Sequence, residues 1–204
     1  MASRDEAPKV NAGSMADIAF LLLIFFLVTT SIETDAGLDR KLPRVDNIKI
    51  TKPISEQNLL PVLINGNDEL LVDNEVVDLR DLRTITIAFL DNGGATQADS
   101  NYCDYCQGRH DSKSSDNPEK AIVSLMSDRE TSYGTYISVQ NELVAAYNTL
   151  RNRESQRLYK IDFTAMEALY LNAETSESLK IELKTKIRNI QELYPLKLLE
   201  TERQ

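Results

Sequence analysis

Two groups of residues in this chain have the type and spacing to do chemistry. The first is Asp17, an acid at the head of an apolar run whose remainder, Ile18–Ile32 (IAFLLLIFFLVTTSI), carries no charge. Wound as a helix, Val10, Gly13, Leu21, Ile24, Val28 and Ser31 share its face, so one ionisable group sits on an otherwise apolar stripe. A carboxylate within a bilayer costs on the order of 2.5–3.5 kcal/mol even on lenient insertion scales, so such a group faces protein or a water path. Desolvation raises an acid's pKa toward the range in which cells exchange protons. An acid that is neutral when dry and charged when wet suits a proton relay. The competing reading is a boundary acid that snorkels to the interface or caps the helix. Met15 and Ala16 precede Asp17, so it is not the first helical residue, and Ala12, Gly13, Ser14 and Ala16 would let another helix approach closely. Both features favour the relay.

The second group is Cys103-x2-Cys106-x3-His110, with Asp104 and Asp111 beside it; it holds both cysteines and the one histidine of the chain. Two thiolates and an imidazole suit zinc, but a complete set would need Asp104, Asp111 or another chain. In an oxidising compartment the same pair reads instead as a local Cys103–Cys106 disulfide that staples its loop, with two free thiols as the remaining alternative. A thioredoxin-like role is not expected, because no strand-to-helix junction carries the motif. No nucleophile–base grouping or phosphate loop is visible, so neither an enzyme nor a bound cofactor is expected.

The chain has 204 residues, a formal net charge of -9 and 27% charged residues. That length allows one modest domain with appendages. The acidic balance argues against nucleic acid as a partner, since phosphate binding wants clustered Lys and Arg. Residues 15–33 are the one stretch apolar enough to suggest a membrane span, at the lower end of the roughly 17–25 residues required. A signal peptide would want a basic start and a small-residue cleavage site, and a soluble core helix would show a polar face. Neither is present. Basic residues flank the run on both sides (Arg4 and Lys9 before, Arg40, Lys41 and Arg44 after), so their count does not set the orientation.

Residues 34–58 are polar, contain prolines and lack periodicity, as a linker would. A folded part begins near Leu59. LLPVLINGNDELLVDNEVVDL reads as two or three strands joined by turns at Asn65-Gly66 and Asp73-Asn74. DLRDLRTITIAFL fits helix or strand. Residues 92–118 are polar and turn-rich, a loop insert; AIVSLMS reads as a strand. Tyr136–Leu158 carries a helical stripe at 136, 139, 143, 146, 147 and 150. Two helix-like stretches, Asp162–Leu171 and Ser176–Leu193, make a helical insert over 160–193, the second with Leu179, Leu183, Ile187 and Ile190 on one face. That face is expected to pack on the domain rather than form a coiled coil with a partner. Pro195 ends it, and residues 195–200 are expected to form a last strand.

The segment SMADIAFLLLIFFLVTTSIETDAGLDRKLP resembles the ExbD/TolR family of biopolymer-transport proteins: a short tail (residues 1–14), an acid near the start of a span (Asp17), and a Leu-Pro beyond it (Leu42–Pro43). A second resemblance lies in AIVSLMSDRETSYGTYISVQNELVAAY, with a strand, Asp128, and Tyr133-Gly134 opening a helix. The resemblance implies a helix for DLRDLRTITIAFL. It also implies a single-pass protein of the cell inner membrane, with residues 1–14 cytoplasmic, 15–33 transmembrane, 34–58 a periplasmic linker and 59–204 a periplasmic domain. The fold expected is thus α+β, one amino-terminal transmembrane helix and a small α+β domain with a helical insert near its carboxy end.

Functionally, the resemblance implies a homodimer inside a pentamer of an ExbB/TolQ-like protein, driven by the proton motive force and coupled to a TonB-like energiser of outer-membrane transport. It gives Asp17 the role of the protonated residue. The alternatives are a TolR-like subunit of an envelope-constriction motor, and a membrane-anchored periplasmic scaffold in which Asp17 is idle.

Overall fold

The computed structural model describes residues 12–29 and 55–202, in two units. Residues 1–11 of the expected tail, 34–54 of the expected linker and the Leu42–Pro43 pair lie outside the described residues.

The first unit is helix α1, Ala12–Thr29. It starts three residues before Met15, where the apolar run begins, because helical hydrogen bonding needs only permissive residues and Ala12, Gly13 and Ser14 are uncharged. Its 18 residues rise about 27 Å at 1.5 Å per residue, against a hydrocarbon core of about 30 Å. Among the described residues, no helix is long and apolar enough to cross a membrane. The large apolar side chains of α1 are nonetheless exposed all round, from Met15 through Ile18 and Leu21 to Phe26.

The second unit is a two-layer α+β body, matching the expected class. A 3-10 turn at Glu56–Asn58 leads into β1 (Leu59–Ile64), β2 (Leu70–Val72) and β3 (Glu75–Val76). Helix α2 (Leu79–Leu90), strand β4 (Ile122–Ser127), helices α3 (Tyr133–Tyr159), α4 (Phe163–Leu171) and α5 (Glu177–Leu193), and strand β5 (Leu198–Glu202) follow. The sheet order is β3-β2-β1-β4-β5. The β1–β2–β3 meander is antiparallel, whereas β4 runs parallel to both β1 and β5. Asp73 and Asn74 both take positive φ (51° and 66°), the geometry of a two-residue hairpin turn between Val72 and Glu75.

Strand alternation sorts the sheet's faces. Leu60, Val62 and Ile64 of β1 and Val123 and Leu125 of β4 are buried in one core with Leu82 and Leu90 of α2 and Val139, Leu143, Tyr147 and Leu150 of α3. The segment left open between helix and strand is α2. Its buried residues Leu82, Thr86, Phe89 and Leu90 recur at helical spacing, and Asp78 caps it by accepting the Arg80 N–H at 2.9 Å. Ser132 caps α3 in the same way, which starts that helix at Tyr133, three residues ahead of the apolar stripe. Lys160 closes it in the left-handed conformation.

Helices α4 and α5 form a second core of Phe163, Met166, Leu183, Ile187 and Ile190. Leu193 touches both cores, so the α4–α5 pair packs on the domain as its apolar stripe requires. The last strand is displaced from the expected 195–200 to 198–202. Pro195 lacks the N–H that the ladder with β4 demands, and pairing begins only at Leu198, opposite Val123.

Candidate functional site

Asp17 stands in the second turn of α1. It is exposed in this chain, with Gly13 a turn below and Leu21 a turn above on the same face. Around it, Met15, Ile18, Phe20 and Leu21 are each more than half exposed (57–61%). A continuous apolar surface of this kind requires lipid or protein against it, and Asp17 is the one acid within it.

The cysteine group lies in the loop insert. Residues 92–118 contain no helix or strand, yet the insert is fixed by hydrogen bonds to the end of α2 and to the 3-10 turn. The buried Asn92 amide donates to the carbonyls of Asp111 and Ser115 (both 2.8 Å) and accepts the Asp111 N–H at 3.1 Å. The Asp116 carboxylate accepts from Gln57 and Asn58 at 2.7 and 2.9 Å. Ser115 donates to the Phe89 carbonyl, and Gly108 N–H to Asp91 O at 2.9 Å. Gly108 is obligatory here, because a Cβ at that position would meet Asp91 O at 2.3 Å.

Within the insert, Cys103 and Cys106 are joined in a disulfide, with Cα atoms 5.5 Å apart and both residues buried. Cys106 packs against Gly93, whose φ of 64° and lack of a Cβ let the two come together. His110 lies against the same glycine, its Nδ1 2.9 Å from Gly93 O. Among the described residues, no group of three or more His, Cys, Asp or Glu side chains could hold a metal ion. Both sulfurs of the Cys103, Cys106, His110 set are spent on each other.

The structure also assembles a polar knot that sequence alone did not show. Arg153 of α3 donates to both carboxylate oxygens of Asp91, at 2.6 and 2.8 Å, and to Tyr194 Oη at 2.8 Å. Tyr194, fully buried, donates to Asp91 Oδ1 at 2.6 Å. Burial, and then the Asp91 carboxylate, push the Tyr194 phenol well above its ordinary value. Asp91 in turn raises the Arg153 guanidinium. Glu154, with no exposed surface, lies between Arg153 and Arg157 (3.1 and 2.6 Å). Tyr105, between the two cysteines, donates to Leu193 O at 2.9 Å and meets the Tyr194 ring edge-on at 5.6 Å. Burial, then Glu119, push its phenol up to about 12. Asp91 and Tyr194 are 103 residues apart, and no spacing or motif announces such a contact.

Asp128 and Tyr133-Gly134 sit at the junction from β4 to α3. Asp128 N–H continues the ladder to Ile64 O at 3.0 Å, Thr131 Oγ1 bridges to the carbonyls of Ile64 and Asn65, and Tyr133 projects 78% exposed. The motif is thus a strand-to-helix turn, with Gly134 facing open space.

The sequence matches the profile of a family described as biopolymer transport protein ExbD/TolR over residues 3–154, which takes in α1, the sheet through β4, the loop insert and most of α3. It is also similar to "Biopolymer transport protein exbD2" of Vibrio cholerae serotype O1, at 30% identity over 77 residues. That stretch is 38% of this chain and 54% of the relative, so the match spans about half the relative's length. Helices α4 and α5 and strand β5 lie beyond the family match. With the profile covering about three quarters of its residues, this chain belongs to the ExbD/TolR family of biopolymer transport proteins.

Proposed function

We propose that this protein is the proton-carrying subunit of an inner-membrane motor that uses the proton motive force to energise outer-membrane transport. The observation that carries the reading is Asp17, a lone carboxylate on a helix otherwise clothed in exposed apolar side chains. Helix α1 is short of a full span by a few ångström as described, but the charge-free sequence continues past Thr29 to Ile32. Residues 1–14 then face the cytoplasm, 15–33 cross the membrane, 34–58 form a linker and 59–204 occupy the periplasm. Family membership supports assembly as a homodimer within a pentamer of an ExbB/TolQ-like protein, coupled to a TonB-like energiser. The name of the Vibrio cholerae relative favours the ExbD-type output over a TolR-type one.

The mechanism follows from the cost of burying charge. Ionised, Asp17 must face water or a polar group of the surrounding ring; protonated, it can cross the ring's apolar interior. Each proton moving down the membrane potential releases about 2.3 kcal/mol per 100 mV. Alternate protonation of the two Asp17 residues of a dimer would therefore turn the helix pair. The test is Asp17→Asn in the full chain, co-expressed with its pentameric partner. Co-purification should survive while proton-driven uptake is lost. Uptake at the wild-type rate would overturn the relay, and failure of the two proteins to co-purify even in the wild type would overturn the motor itself.

A further inference from the structure

The Cys103–Cys106 disulfide has a position that a local staple would not need. Tyr105, inside the four-residue ring that the disulfide closes, is the residue that reaches out of the insert to the end of α5, through its hydroxyl on Leu193 O and its ring on Tyr194. Those contacts fall where α5 ends and the chain turns into the edge strand β5. The same junction is also held by α3 and by the end of α2. Arg151 of α3 donates to Tyr194 O at 2.9 Å, and Arg153 and Asp91 hold the Tyr194 hydroxyl. The Tyr105 carbonyl also faces Arg153, at 3.4 Å. The insert thus binds the junction alongside α3 and Asp91, and its share is one tyrosine in a four-residue disulfide ring.

We propose that the Cys103–Cys106 disulfide is an oxidation-set latch, whose formation seats Tyr105 against the α5–β5 junction and locks the edge strand β5 onto the sheet. The reaction is thiol–disulfide exchange. One thiolate attacks a disulfide of a small molecule or protein, releasing one of its thiols and forming a mixed disulfide. The second cysteine then displaces the other thiol, so that the chain loses two electrons and two protons to the oxidant. Both cysteines are buried once the insert is packed, so the closed latch is shielded from reductants. It acts as a one-way device that is set when the body reaches an oxidising compartment. Reduced, the ring of residues 103–106 is free to relax, Tyr105 is no longer pre-positioned, and the junction keeps its contacts to α3, to Asp91 and to β4.

The experiment is backbone amide exchange on the full chain in detergent, comparing wild type oxidised with glutathione disulfide, the Cys103→Ser/Cys106→Ser double variant, and oxidised Tyr105→Ala. The latch requires exchange at residues 193–202 to accelerate about tenfold or more in both variants, while β1 and the middle of α3 keep their protection. Unchanged exchange at 193–202 in the double variant would overturn the proposal. So would acceleration in the double variant without acceleration in Tyr105→Ala, since the disulfide would then act by another route. Should the double variant lose protection everywhere, the oxidised Tyr105→Ala variant decides alone. Selective loosening of 193–202 there upholds the latch, and wild-type protection rejects it.

Discussion

Arg153 of α3 grips Asp91, the residue that closes α2, through two hydrogen bonds of 2.6 and 2.8 Å. The pair is largely withdrawn from water, with 27% and 7% of the two side chains exposed, and Tyr194 completes it from the far end of α5. Three segments remote in sequence therefore meet at one guanidinium. A planar fork is suited to this role, because it serves a carboxylate with two donors and a phenol with a third, which an ammonium cannot do in fixed geometry.

Removing that fork should be costly. Arg153→Met leaves the Asp91 carboxylate buried without its counter-charge and should destabilise the body by about 3 kcal/mol in urea unfolding. Arg83→Met breaks a pair with Glu142 that is well solvated on the arginine side, 48% exposed, and should cost less than about 1 kcal/mol. Equal losses for the two variants would remove the knot's special status.

Alkaline pH should loosen the body. Burial raises the phenols of Tyr105, Tyr147 and Tyr194 above their ordinary 10.0, so the folded state holds these protons more tightly than the unfolded chain. Their contribution is fully present below about pH 10 and declines as pH rises toward the folded values, through about 12 for Tyr105. The urea midpoint should fall across that window, and Tyr105→Phe should make the fall shallower. A Tyr105→Phe profile parallel to wild type would contradict the assignment.

Thr86 offers a stabilising change. Its hydroxyl is fully buried in α2 with no hydrogen-bond partner among the described residues. Thr86→Val keeps the shape and exchanges an unsatisfied hydroxyl for a methyl, so thermal unfolding should move up by the equivalent of about 1 kcal/mol. A lower midpoint would mean that the hydroxyl has a partner in solution.

Two glycines should respond in opposite senses to alanine. At Gly108 the new Cβ would lie 2.3 Å from Asp91 O and 2.6 Å from Asn92 Cα, forcing the insert off α2 at a cost of about 2 kcal/mol or more. At Gly134 an added Cβ would meet nothing within 4 Å among the described residues outside its own helix backbone, and alanine in the first turn of α3 should raise stability by about 0.5 kcal/mol. Circular dichroism melts of the two variants separate these outcomes.

What could be read from the sequence was whatever periodicity encodes. The stripe Leu183, Ile187 and Ile190 is the buried face of α5, and the positions from Val139 to Leu150 are that of α3. Leu179, on the same stripe, is 40% exposed; it lies in the first turn of α5, beside the connection from α4. Asp73-Asn74 announced its hairpin by chemistry alone. The loop insert was legible as a loop but not as a built one. Its order comes from Asn92, Ser115 and Asp116 bonding to backbone and to Asn58, and polar residues in a turn-rich stretch look the same whether solvated or interlocked. The Asp91–Arg153–Tyr194 knot left no trace, since only the finished fold brings those positions together.

The order of the strands has a consequence for biosynthesis. Strand β4 lies between β1 and β5, and its partner on one side is not translated until residues 198–202 emerge, after α3, α4 and α5. Until then the nascent body presents an open row of β4 amides and carbonyls, the kind of edge to which foreign strands add. Truncation within α5 should thus yield aggregation-prone, protease-sensitive chains rather than a smaller stable domain.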